Sequence, residues 1–195
     1  MKILCFDLET TGTNALLHGV HQIGGIIIEL TESRGIVIKS KFQMNVHPHK
    51  DVEIDPEALK VSGLTPRGLK GYPSPTRVFQ KFHDILVKHM DDPRDKYTLM
   101  GYYNLHLDND FLRNWWDQSK PRSNTSLFGF NQFFYTGSID VSALAANYLL
   151  DKRAEMPNFK LATVAKTLGI EIPQGKLHEA LTDALLTLQI YQKVR

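Results

Sequence analysis

From its second residue the chain alternates with a two-residue period. Ile3, Cys5, Asp7 and Glu9 fall on one side, and Leu4, Phe6 and Leu8 on the other. That spacing predicts a β-strand over residues 2–9, ending at the Thr10-Thr11-Gly12 turn. Two further strands are predicted over 20–30 and 35–46, joined near Ser33-Arg34-Gly35, so that the first three strands form a meander. The period then lengthens. A short helix is predicted near 56–62, opening on Pro56, and a longer one over 75–90 with Val78, Phe82, Ile85, Leu86 and Met90 on one stripe. Tyr97 to Asn104 predicts a strand and Asp108 to Asp117 a helix. Helical patterns follow over 141–150, 160–168 and 179–193, the last with Leu181, Ala184, Leu185 and Leu188 at i, i+3, i+4 and i+7. Strands first and helices afterwards predict a mixed α/β (α+β) fold, a central mixed sheet flanked by helices. Residues 118–137, rich in Asn, Ser, Gly and Phe, predict a loop.

Composition narrows the class. With 195 residues and 42% apolar, 10% aromatic and 23% charged positions, residues 1–195 are expected to form a single domain. A chain of this size buries roughly 70% of the surface its unfolded form exposes, so its core needs no disulfide or structural metal. One cysteine, Cys5, and no secretory signal predict a cytoplasmic protein, for which the Asn124-Thr125-Ser126 sequon has no meaning. No apolar run approaches the roughly 20 residues that cross a bilayer, and no membrane partner is expected. A net charge of +2 excludes a strong field of one sign and argues against holding a long duplex mainly through phosphates, but contact with a few phosphates at a strand end remains compatible.

Three groups of acids fit this pattern poorly. Asp7 and Glu9 share one face of the most apolar early strand, roughly 7 Å apart. Either the strand end opens into water there, or two buried acids require a compensating cation. Asp183 lies on a small-residue flank of the last helix, between Ala180 and Thr187, where an acid faces water or needs a metal or a base. His178 precedes it by five residues, a rotation of about 500° and so about 140° off face. The two meet only if His178 lies in the loop before the helix, which Pro173-Gln174-Gly175 permits. Taken alone, His178 is a surface loop residue. Asp108 stands where a strand gives way to a helix and by itself predicts a helix N-cap, with Asp110 as a first-turn acid.

Taken together, these residues resemble a known family. Phe6-Asp7-Leu8-Glu9-Thr10-Thr11-Gly12 is similar to the first motif of the DnaQ-like exonucleases of the DEDD superfamily, among them the proofreading subunit of bacterial DNA polymerase III and ribonuclease T. Asn104-Leu105-His106-Leu107-Asp108 resembles the second motif, and His178 with Asp183 the third motif of the histidine-bearing branch. Ile54 to Thr65 resembles the segment connecting the first two motifs. The resemblance implies a ribonuclease H-like fold and metal-dependent 3′ to 5′ exonuclease hydrolysis that releases nucleoside monophosphates. It makes Asp7, Glu9, Asp108 and Asp183 the holders of two Mg²⁺ or Mn²⁺ ions, and His178 the general base. Leu8, Thr10 and Thr11 become the residues that meet the terminal nucleotide. Two hard cations suit in-line phosphodiester cleavage, and carboxylates suit such cations. The chain departs from the family's pattern at Leu107, where Phe is common, and at Gln22, where Glu is frequent; the second should matter little to the chemistry. Phe128, Phe130, Phe133, Phe134, Trp115 and Trp116 offer either base stacking or core packing, and packing is the expectation.

The expected partner is nucleic acid, the single-stranded or frayed 3′ end of DNA, with a polymerase or a second copy of the chain as further candidates. Two alternatives stand beside it: an RNA 3′-trimming enzyme with the same chemistry, and an inactive nucleic-acid-binding or polymerase-associated module on the same fold. A nucleotide-cradling fold is poorly supported, because no glycine-rich phosphate loop follows the first strand.

Overall fold

The computed structural model describes residues 1–31, 35–122, 128–173 and 178–195. The junction predicted at Ser33-Arg34, the sequon at Asn124 and the Gln174-Gly175 pair lie outside these. Five strands form one sheet: β1 (Lys2–Thr10), β2 (Val20–Thr31), β3 (Gly35–Asn45), β4 (Tyr97–Gly101) and β5 (Phe134–Asp140), in the order β3-β2-β1-β4-β5. β2 pairs antiparallel with β1 and β3 antiparallel with β2, while β4 adds parallel to β1 and β5 parallel to β4. The apolar first strand is thus central, with neighbours on both sides.

Seven helices accompany the sheet among the described residues: α1 (Pro56–Val61), α2 (Pro75–Lys88), α3 (Asp108–Ser119), α4 (Phe130–Phe133), α5 (Val141–Tyr148), α6 (Leu161–Thr167) and α7 (Ala180–Val194). Strand alternation divides them between two faces. Leu4, Phe6 and Leu8 of β1 and Ile23 and Ile27 of β2 pack on a layer that includes Val78, Phe79, Phe82 and Leu86 of α2 and Phe111, Leu112, Trp115 and Trp116 of α3. Ile3, Cys5, Ile26 and Ile28 face the opposite way, against α5, α6 and α7. Asp7 and Glu9 belong by register to that second face, under α7.

Two expectations change. The predicted strand Tyr97–Asn104 stops at Gly101, because the chain turns through Tyr103 in a left-handed conformation (φ 62°) into a 3₁₀ turn over Asn104–His106. The predicted loop 118–137 contains both α4 and the start of β5. Its Phe130, Phe133 and Phe134 are core, packed with the aromatics of α2 and α3: Phe79 and Trp116 lie 4.7 Å apart, Phe130 and Phe134 4.6 Å, and the Trp116 indole N–H donates to the Phe128 carbonyl at 2.7 Å. Aromatic pairs of this kind contribute about 0.5–1.5 kcal/mol each beyond their burial, and rings spent in this way are not free to stack bases.

One glycine decides how close α7 comes. Gly24 pairs with Asp7 across β1 and β2, and a Cβ placed on it would lie 2.2 Å from the backbone of Ala180 and Leu181. Backbone cannot rotate away as a side chain can. Gly24→Ala should therefore cost about 1–3 kcal/mol, lowering the thermal midpoint by roughly 2–12 °C for a chain of this size. A melt that matches wild type would show that α7 does not need this contact.

Candidate active site

The acids singled out in the sequence are held by three elements, β1, α3 and α7, which meet at the carboxyl end of β1. Asp7 projects from β1 opposite Gly24. Glu9 follows on the same face, immediately before an irregularity in pairing between Glu9 and Thr10 that ends the regular ladder with β2. Such irregularities re-aim side chains at sheet ends. Asp183 lies in the first turn of α7, 8% exposed, where the positive end of the helix dipole favours an anion.

Asp108 differs from the isolated expectation of an N-cap. Leu107 holds the cap position, and Asp108 is the first helical residue of α3. Its carboxylate accepts from its own N–H and from the N–H of Leu8, so it ties the start of α3 to β1. Asp110 is an exposed acid of the same first turn, as expected.

His178 lies in the loop ahead of α7, as the rotation argument required, in a left-handed backbone conformation (φ 67°). Single ligand atoms of Glu9, His178 and Asp183 all lie within 4.8 Å of one another. Non-glycine residues held at positive φ cost of order 1–3 kcal/mol and gather at functional sites. Among the described residues only Tyr103 and His178 are so held, and both line the cavity into which Asp183 also faces.

The electrostatics are those of four buried and half-buried carboxyls that repel one another. Burial, reinforced by Asp108, Asp183 and Glu9, raises Asp7 well above the ordinary carboxylate range. Burial lifts Glu9 to about 7, against a hydrogen bond from Ser62 that lowers it. Burial also lifts Asp108 to about 7 and Asp183 to about 6, the latter despite the His178 ring and the His178 N–H, which pull it down. Oδ1 of Asp183 is buried with no hydrogen-bond partner among the described residues. Four crowded carboxyls, one with an orphaned oxygen, form a donor set that fits hard divalent cations and is costly without them.

Four supporting residues were not given this role by the sequence. Ser62, at the end of α1, donates its hydroxyl to Glu9 Oε2 at 2.7 Å. Gln22, opposite Glu9 in the sheet, accepts from the Ala180 N–H at 2.9 Å and donates to Asn45 at 2.8 Å, while Gln43 accepts from the Leu181 N–H at 3.2 Å. β2 and β3 thus cap α7 and fix Asp183, and a neutral amide at position 22 adds no fifth charge to the cluster. Asp140 accepts from the Tyr103 N–H and from the N–H and hydroxyl of Ser142, capping α5 and holding the turn that leads to Asp108. Short polar residues at element ends were the available signal.

The residues expected to meet a terminal nucleotide are placed differently from one another. Leu8 is core, and Thr11 is fully buried, its hydroxyl donating to the Glu53 carbonyl and accepting from the Gly19 N–H. Thr10 is partly exposed and bonds the Gly12 carbonyl at 2.7 Å.

The chain is similar in sequence and fold to known nucleases. The profile of the Exonuclease family (RNase_T) matches residues 4–191. Ribonuclease T of Enterobacter sp. (strain 638) is 22% identical over 189 residues, 96% of this chain and 78% of that protein. Ribonuclease T of Vibrio cholerae is 21% identical over 187 residues, 95% and 77% of the two chains. Among solved structures, E. coli exonuclease I in complex with a dT13 oligonucleotide superposes with a TM-score of 0.71 at 19% identity, over 99% of this chain and 40% of that one. Product-bound exonuclease I gives 0.69 at 18%, over 98% and 42%. The chain spans about 40% of exonuclease I, and the likeness establishes the ribonuclease H-like fold. With a family profile that covers nearly the whole chain, the protein belongs to the DnaQ-like 3′ to 5′ exonucleases, metal-dependent hydrolases of nucleic acid.

Proposed function

We propose that residues 1–195 act as a single exonuclease domain that removes nucleoside monophosphates from single-stranded or frayed 3′ ends of DNA. Asp7, Glu9, Asp108 and Asp183 would hold two Mg²⁺ or Mn²⁺ ions, and His178 is the general base. The observation that carries this reading is the convergence of four carboxyls, all raised by burial, beside an exposed histidine.

Bound cations would stabilise charge on the attacking and leaving oxygens of an in-line displacement. The chain's own residues do the rest. Ser62 fixes one oxygen of Glu9, the Leu8 N–H fixes Asp108, and Gln22 and Gln43 hold the start of α7 so that Asp183 faces the same point. His178, beside Glu9 and Asp183, takes the proton of the attacking water. Leu8 and Thr11 support the turn after β1, and its partly exposed Thr10 receives the terminal nucleotide.

A second reading, RNA 3′ trimming, is favoured by the similarity to ribonuclease T. One assay separates them: 5′-labelled DNA and RNA of the same sequence, with Mg²⁺, with Mn²⁺ and with chelator. Stepwise shortening from the 3′ end, strong inhibition by a 3′ phosphate and slow attack on blunt duplex are expected. Duplex ends resist because unpairing a terminal base costs a few kcal/mol. Rapid cutting of a closed circle would contradict exonuclease polarity, and turnover of RNA alone would replace the DNA assignment.

A further inference from the structure

We propose that the strand upstream of the cleaved bond runs along α3 from Asp108 to a basic cleft at the helix's far end, where Lys50 and Arg122 hold its phosphates. The proposal rests on the reading of His178 as general base, because that role gives the site a direction. In a phosphoryl displacement the attacking and leaving oxygens stand roughly in line on opposite sides of phosphorus. His178 and Asp183 line a cavity of about 690 Å³ together with Tyr102, Tyr103 and Phe159. Water activated by His178 attacks from that side. The leaving 3′ oxygen, and the strand attached to it, therefore point away from it.

A second cleft, of about 590 Å³ and sharing no lining residue with that cavity, lies at the start of α3, between Thr13 to Leu16 and the residues His106, Leu107, Asp110 and Asn114. Asn114 Nδ2 donates to the Ala15 carbonyl at 2.9 Å and pins the turn to α3, so this cleft has a fixed wall. It does not end there. Leu16, 87% exposed, also lines a third cleft of about 650 Å³, whose α3 wall continues with Asp117 and Gln118, one turn beyond Asn114. The two clefts adjoin at Leu16 and are walled by successive turns of α3, whose length of about 18 Å, at about 1.5 Å per residue, is enough for a few nucleotides beyond the cleaved bond.

Charge at its far end fits a phosphate backbone. Lys50, Lys120 and Arg122 line the third cleft against two acids, Asp51 and Asp117. Asp117 holds Lys120 at 2.6 Å. Lys50 and Arg122 are exposed and carry no ion pair among the described residues, so both cations are available. Beneath them the His49 ring contacts the buried Ser119 hydroxyl at 2.9 Å, bracing the segment that carries Lys50 against the end of α3.

The test uses Lys50→Ala/Arg122→Ala in two backgrounds. In the inactive Asp7→Asn chain, a fluorescent twelve-nucleotide single strand is bound at several salt concentrations in chelator. Each phosphate contact contributes about 0.7 to the slope of log affinity on log salt, so losing two should flatten it by about 1.4. In the active chain, kcat/KM on the twelve-mer should fall roughly tenfold at low salt through the same lost contacts, while a dinucleotide, too short to reach the third cleft, is hydrolysed as by wild type. An unchanged slope, or equal loss on both lengths, would overturn the track. Failure of the otherwise wild-type chain on both lengths would overturn the reading of the site on which it rests, and the slope in the inactive background still reports the track by itself.

Discussion

Asp7→Asn or Asp183→Asn is expected to reduce hydrolysis by at least about 10³-fold while the chain stays folded. The magnitude follows from removing charge that holds a cation essential to both reacting oxygens, a contribution of several kcal/mol where about 1.4 kcal/mol is tenfold in rate. The fold should survive because neither carboxylate stabilises the protein without its cation: burial and mutual repulsion keep both raised. Neutralising one removes repulsion from its neighbours, so the metal-free variant should melt no lower than metal-free wild type. His178→Ala should behave differently, losing about 10²–10⁴-fold in turnover, the range for a general base, with cation affinity largely kept. Circular dichroism and turnover on one single-stranded substrate check all three. Activity of Asp7→Asn near that of wild type would remove that residue from the chemistry.

The second large effect is on stability, and its sign follows from the raised carboxyls. In the unfolded chain these groups ionise near pH 4; in the fold Glu9 and Asp108 do so at about 7 and Asp183 at about 6. A folded acid that binds its proton more tightly than the unfolded one makes the fold less stable as pH rises. Here the cost is absent below about pH 4 and fully present above about pH 7. A divalent cation bound by the ionised cluster offsets that cost, and at a hundred times its dissociation constant it adds about 2.7 kcal/mol. The gain in thermal midpoint on adding Mn²⁺ should therefore be near zero at pH 5 and reach roughly 5–11 °C at pH 7.5. His21 acts in the opposite direction. Its burial lowers it to about 4, so its contribution is lost as pH falls from about 6.5, but it does so with or without cation and cancels in the difference. An increment independent of pH would show that the cation binds somewhere other than the acids.

Much of this was legible because two periodicities conflict with chemistry at particular positions. The alternation through Ile3, Cys5, Asp7 and Glu9 assigns the acids to one face, and the small-residue flank around Asp183 assigns a complementary face on the last helix; the sheet brings the two together under α7. The rotation argument placed His178 in the loop, where it is found. What stayed illegible depends on contacts distant in sequence. β5 is an edge strand whose Phe134-Tyr-Thr-Gly-Ser-Ile-Asp run buries only its ends fully, so no alternation marks it. Gln22 reads as an inert replacement until α7, 158 residues later, is seen to rest its first N–H on it. Ser62 and Asp140 carry no periodic signal at all, since each acts through one or a few hydrogen bonds from the end of a helix or a strand. Leu8 and Thr11 follow the family's first motif in sequence, yet the side chains point into packing and the turn offers its exposed part elsewhere.

The most direct test of the cluster as a metal centre is Mn²⁺ titration followed by electron paramagnetic resonance at pH 7.5, on wild type and Asp7→Asn, with no nucleic acid present. Two ions per wild-type chain, with at least one lost from Asp7→Asn, is the expected result. Binding that is unchanged by the substitution, or no binding at millimolar Mn²⁺, would contradict the assignment of Asp7, Glu9, Asp108 and Asp183.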